Sequence, residues 1–124
     1  MNDHAAMRAV RDVIQRYIDG TYEADASKLV GVFHERAVMN GYLGDRCVVA
    51  DPSVFIEDMV SAPSMRETAD PYDAQIESIQ VEGSVATAVL SETGFRGDGR
   101  LIDFFQLICI EGDWKIVAKL FTTV

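Results

Sequence analysis

The chain reads as an α+β domain with helices first and an antiparallel meander after them. Three observations predict this. Apolar residues recur at intervals of three and four near the amino end, an Asp51-Pro52 pair opens a later helix, and after Pro71 four strand-like runs are separated by glycine-bearing turns. The whole chain, 1–124, is expected to form one domain, large enough to bury a core without disulfide or metal staples.

In the first helix, expected from about Asp3 to Tyr22, Met7, Val10, Ile14, Tyr17 and Thr21 form an apolar stripe that Val13 and Ile18 broaden. Arg8, Arg11, Asp12, Gln15, Arg16 and Asp19 then face water. Gly20 lowers helix propensity by about 1 kcal/mol relative to alanine, which predicts a close contact or an early end there. Asp25 or Ser27 caps a short second helix bearing Leu29, Val30, Val32 and Phe33, with His34 at its close. AVMNGYLGDRCVVA holds too many glycines and β-branched residues for a helix and reads as a hairpin. At Asp51-Pro52 an aspartate cap precedes a proline that has no donor to leave unsatisfied, and the helix that follows buries Phe55, Ile56, Met59 and Val60. SAPSMRETADPYD is expected to be a mobile loop.

The four strands are QIESIQV, VATAVLSETGF, RLIDFFQLICI and WKIVAKLFTTV. In IDFFQLICI, alternation puts Ile102, Phe104, Gln106, Ile108 and Ile110 on one face and Asp103, Phe105, Leu107 and Cys109 on the other. The last two strands are apolar on both faces, so both must be covered. Helices serve one side. A second copy of the chain, in a two-fold dimer through the sheet, is expected on the other.

Twenty acidic against eleven basic residues give a formal charge of −9, which repels nucleic-acid phosphates and anionic membrane surfaces. Neither is expected as a partner. The opening MNDHAAMRAVRDVIQRY carries charges throughout, unlike a signal peptide, and no run reaches the length of a membrane span. A soluble cytoplasmic protein is expected. Cys47 and Cys109 lie far apart with no CxxC or Cys/His cluster, so no redox motif, metal site or cofactor is expected.

QRYIDGTYEAD followed by SKLVGVFHERAVM, and the closing GDWKIVAKLF, resemble the opening and closing segments of the nuclear transport factor 2-like superfamily. That superfamily includes ketosteroid isomerase and the SnoaL-like polyketide cyclases, and the motifs are most similar to its lumazine-binding branch. The resemblance implies a cone-shaped fold, three N-terminal helices packed on a strongly curved antiparallel sheet, across almost the whole chain. In ketosteroid isomerase a tyrosine and a protonated aspartic acid donate to an oxyanion while a carboxylate shuttles the proton. Tyr17 matches the tyrosine. The shuttling carboxylate falls near Asn40-Gly41 and the donating acid at or near Gln106, so isomerase chemistry of that type is disfavoured.

Four polar side chains are candidate ligand contacts. Gln106 would face the concave side with Phe104 and Ile108, offering one acceptor and two donors, or else serve as a satisfied core amide. Tyr17 would reach the cavity with its hydroxyl or simply pack helix against sheet. His34 is a candidate general base, although a helix C-terminus favours histidine without any catalysis. Lys119, beside Phe121, either points inward, paired with Asp103, Glu92 or an anionic ligand, or snorkels to the rim. Phe55, Met59, Met39, Phe95, Phe104 and Phe121 supply an apolar lining that core packing explains equally well.

The functional expectation is a homodimer whose apolar pocket binds a small aromatic or polycyclic molecule. One alternative is an isomerase, cyclase or dehydratase with His34 as base and Tyr17 with Gln106 stabilising an enolate. The other is a dimerisation module with a vestigial pocket.

Overall fold

The structure, a computed structural model, describes residues 3–124. The first helix, α1 (Asp3–Glu23), lays Ala6, Val10, Ile14 and Tyr17 on one buried stripe. Gly20 marks a close contact rather than an end, because a Cβ there would stand 3.0 Å from the Leu29 side chain of the next helix. That helix, α2 (Ala26–Val32), is capped by Asp25, whose carboxylate accepts from the Lys28 amide at 3.1 Å. Strands β1 (Phe33–Leu43) and β2 (Arg46–Ala50) form the expected hairpin. Helix α3 (Pro52–Val60) begins as its sequence predicts, with Asp51 accepting from the Ser53 amide at 2.8 Å.

SAPSMRETADPYD contains a one-turn helix, α4 (Met65–Thr68), where a loop was expected. Ser64 caps it by accepting from the Glu67 amide at 3.1 Å, and Ala69 closes it at φ 56°. Burial of Met65 gives this turn its anchor.

Strands β3 (Asp73–Glu82), β4 (Val85–Phe95), β5 (Gly99–Ile110) and β6 (Asp113–Thr123) form the antiparallel meander. The sheet order is β2-β1-β6-β5-β4-β3, and β1 runs parallel to β6. The sheet is therefore mixed, which corrects the all-antiparallel expectation. Turn chemistry reports only strands adjacent in sequence, whereas β1 and β6 come from opposite ends of the chain. Register shifts in β1, β3, β4 and β6 bend the sheet around the helices, as bulges do.

One of these bulges decides what β6 presents. Gln106 pairs with Ala118 and Leu107 with Ile116, leaving Val117 unpaired. Trp114 and Ile116 face the helices before the bulge, and the extra residue shifts the phase so that Lys119 and Phe121 face them after it. On the neighbouring strand Leu101, Asp103, Phe105 and Leu107 all face inward.

Candidate functional site

A cavity of about 190 Å³ opens between α1, α3 and the concave face of the sheet. Its inner end is formed by Tyr17 and Lys119, both buried, and its walls by Met39, Phe55, Phe95, Leu101 and Phe121. Leu43, Arg46, Val54 and Asp58 stand at the exposed mouth. Four of the expected contacts, Tyr17, Phe55, Lys119 and Phe121, thus share one space.

Tyr17 is fixed by rings on three sides. It stacks on Phe55 with centroids 5.9 Å apart and meets Phe105 and Phe33 edge-on at 5.0 and 6.1 Å. Its oxygen accepts a hydrogen bond from Lys119 Nζ at 2.5 Å. The same ammonium lies 4.4 Å from the Phe55 ring centroid, 5.0 Å from that of Tyr17 and 5.1 Å from that of Phe121, an aromatic cage closed around the chain's own cation.

Behind Lys119 sits a carboxylic acid. Asp103 is 0% exposed, with Oδ2 3.9 Å from Lys119 Nζ and, among the described residues, no well-aligned hydrogen bond to either oxygen. Burial pushes its pKa well above the ordinary carboxylate range. Lys119 opposes that rise, and nearby Glu92 adds to it. Glu92, also buried, accepts a hydrogen bond from the Tyr72 hydroxyl. Burial, with the charges of Asp103 and Glu92, raises the Tyr17 pKa, so its phenol stays a donor. Burial and Glu92 likewise raise that of Tyr72.

The remaining expected contacts lie elsewhere. Gln106 and Phe104 were expected on the concave side and instead point to the open face, Phe104 being 47% exposed while Phe105 is 1% exposed. The resemblance, which sets the donating acid at or near Gln106, gives the strand the wrong phase here: Asp103, not Gln106, faces inward. The buried Lys119 makes that carboxyl tolerable inside. His34 belongs to β1, not to a helix end; its Nδ1 accepts from the Arg36 amide at 3.0 Å, and it lines a separate depression with Asp51, Pro52 and Ile56. Met59 is buried core beside the cavity, its sulfur approached by the Arg96 guanidinium at 3.7 Å.

No carboxylate occupies the position where the resemblance puts the proton shuttle. Asn40 accepts from the Ala50 amide at 3.2 Å. At Gly41 a Cβ would stand 1.9 Å from the Phe121 carbonyl oxygen, so a side chain there is excluded. The sequence does not fix the direction of Asp103, whose only signal there is Lys119 on the adjacent strand. Among the described residues no cluster of potential metal ligands occurs, and no helix is long and apolar enough to cross a membrane.

The family model described as "Putative lumazine-binding" matches residues 5–122. The chain belongs to that family. No protein of curated function matches it. Among solved structures, an NTF2-like protein of unknown function from Shewanella baltica is 23% identical, with 100% of this chain and 98% of that one covered at a TM-score of 0.87. A ketosteroid isomerase-like protein from Erwinia carotovora atroseptica is 14% identical over 100% and 98% of the two chains, at 0.68. A domain of unknown function with a cystatin-like fold from Nostoc punctiforme is 13% identical over 99% and 80%, at 0.73. These similarities establish the NTF2-like, cystatin-like fold of this lumazine-binding family member.

Proposed function

We propose that this protein binds a flat, largely apolar small molecule in the cavity between α1, α3 and the sheet. The observation that supports it is an aromatic and aliphatic cavity with one hydrogen-bonding pair, Lys119 and Tyr17, at its inner end. A few convergent polar groups in an apolar hollow are what small-ligand sites share. Its volume of about 190 Å³ lies below the roughly 300–1,000 Å³ of drug-sized sites, which supports a one- or two-ring occupant over a larger polycycle. The family's description, naming a two-ring heterocycle, agrees with that size. A library of one- and two-ring compounds should raise the melting temperature of the wild type, and Val54→Trp, which blocks the mouth, should abolish the shift. No shift with any compound, or an equal shift in the blocked variant, overturns the reading.

The open face of the sheet is proposed as the surface for a second copy. Phe104, Leu120, Tyr42 and Val49 are all exposed there, and Gln106, Asn40 and Thr122 beside them add no charge. For a chain of net charge −9, an uncharged contact avoids self-repulsion. Light scattering should report a dimer at micromolar concentration; a monomer removes this proposal. The exposed, unpaired thiol of Cys47 is in keeping with a reducing, cytoplasmic setting.

An enzymatic reading has one specific support, Asp103 kept toward its protonated form beside Tyr17. Tyr17 would donate to a developing enolate oxygen in the cavity, and Asp103, which lies behind Lys119 and outside the lining, would support that donor from beneath. His34 stands outside the cavity and gives that reading no base. Turnover of an enolisable ketone that Asp103→Asn abolishes and His34→Ala leaves intact would favour it.

A further inference from the structure

The charges around the cavity are not balanced by their own partners. Of the two acidic residues in its lining, Asp58 is paired with Arg96 at 3.0 Å, whereas Glu92 accepts from the Tyr72 hydroxyl, which is neutral and offsets no charge. Of the two cations, Arg46 at the mouth makes no ion pair among the described residues. Lys119 at the inner end has Tyr17 as its one hydrogen-bond acceptor among them, and its other two N–H bonds meet only ring faces of the aromatic cage. Its ion-pair contact, Asp103 Oδ2 at 3.9 Å, is too long for a hydrogen bond. The lysine side chain is only 5% exposed, so water has little access to those two N–H groups. A desolvated ammonium with unused donors beside an apolar hollow is complementary to an anionic oxygen carried on a ring.

We infer that the cavity selects a carboxylate-bearing arene, its carboxylate received by the Lys119 ammonium and the Tyr17 hydroxyl and its ring laid against Phe55 and Phe121. The inference rests on the binding reading above and specifies the chemistry of the ligand. Tyr17 adds its hydroxyl, whose oxygen already accepts from Lys119 and whose proton would turn from the Asp103 carboxyl to the ligand. Asp103 opposes it least when protonated, the form its burial promotes, since the nearby acid then carries no charge to repel the ligand. Arg46 attracts the anion to the mouth and leaves the ordering of its head group to Lys119.

Isothermal titration of the full chain with 2-naphthoate and with its neutral counterpart 2-naphthamide tests this. The wild type should bind the naphthoate at least about tenfold more tightly, as a charge-assisted hydrogen bond in a desolvated site warrants. Lys119→Met should abolish the preference while still binding the amide. Arg46→Gln, an exposed change that leaves the core untouched, should slow association of the naphthoate and make it less sensitive to salt. Equal or tighter binding of the amide by the wild type overturns the carboxylate assignment and leaves the binding reading standing. A preference that survives in Lys119→Met overturns it as well. If neither probe binds, the carboxylate assignment falls while the library measurement above decides the binding reading, and the wild-type comparison decides even if the lysine variant does not fold.

Discussion

The two faces of the sheet differ in a direction opposite to the ordinary one. The helix-covered face buries Asp103, Glu92 and Lys119, whereas the open face exposes Phe104, Leu120, Tyr42 and Val49. A carboxylate usually marks the wet side of a strand and a phenylalanine the dry side. Here the ionisable groups stay inside because they come as a set, Lys119 facing Asp103 and Tyr72 bonded to Glu92, around a hollow that an all-apolar core would have filled. The difference teaches that burial on this sheet follows partnership across strands rather than the polarity of single residues.

The largest expected effect sets neighbouring rings against each other. Phe105→Ala should cost about 3–5 kcal/mol in urea unfolding, because it empties a packed site against Tyr17. Phe104→Ala should change the stability of dilute monomer by only about 0.5 kcal/mol. Equal losses would erase the contrast between the faces.

Removing the buried cation should come next. Lys119→Met deletes the hydrogen bond to Tyr17 and the cage contacts, and a loss of about 1–3 kcal/mol is expected for the partner left behind. If Asp103→Asn is added and the double variant loses no more than Lys119→Met alone, the two residues act as one unit.

A pH series sharpens the inside of the comparison. The folded state holds the Asp103 proton above the pH at which the unfolded chain releases it, so over that interval the unfolded chain binds fewer protons. Asp103 therefore contributes stability below its unfolded pKa that is lost as pH rises toward its folded value. Asp103→Asn should flatten this fall at pH above the ordinary carboxylate range in denaturant titrations. A variant that weakens progressively over the same range would mean that the ionised pair with Lys119 dominates.

The smallest effect is expected at Gln106. Gln106→Ala should shift stability by no more than about 0.5 kcal/mol and leave binding of any cavity ligand unchanged, as its exposure on the far side of the sheet requires. A lost ligand would restore it to the site.

Much of the architecture was legible because its signals are local. The Asp25 and Asp51 caps, the stripe through Val10, Ile14 and Tyr17, and the turns at Gly83, Gly97 and Gly112 each act within a few residues. The residues of α4 also carried a local signal, Ser64 three positions before Glu67, which the surrounding prolines masked. Tyr17, Phe55, Lys119 and Phe121 were legible as candidates through type and resemblance, but nothing local said that they meet.

What the sequence by itself determined is the succession of helices and strands, the hairpins and the family, since periodicity, caps and turns fix these over short distances. Tertiary structure alone decided the parallel pairing of β1 with β6, the bulge at Val117 and the inward turn of Asp103 and Lys119. Alternation has two phases, and on strands apolar on both sides only contacts between distant segments select one of them.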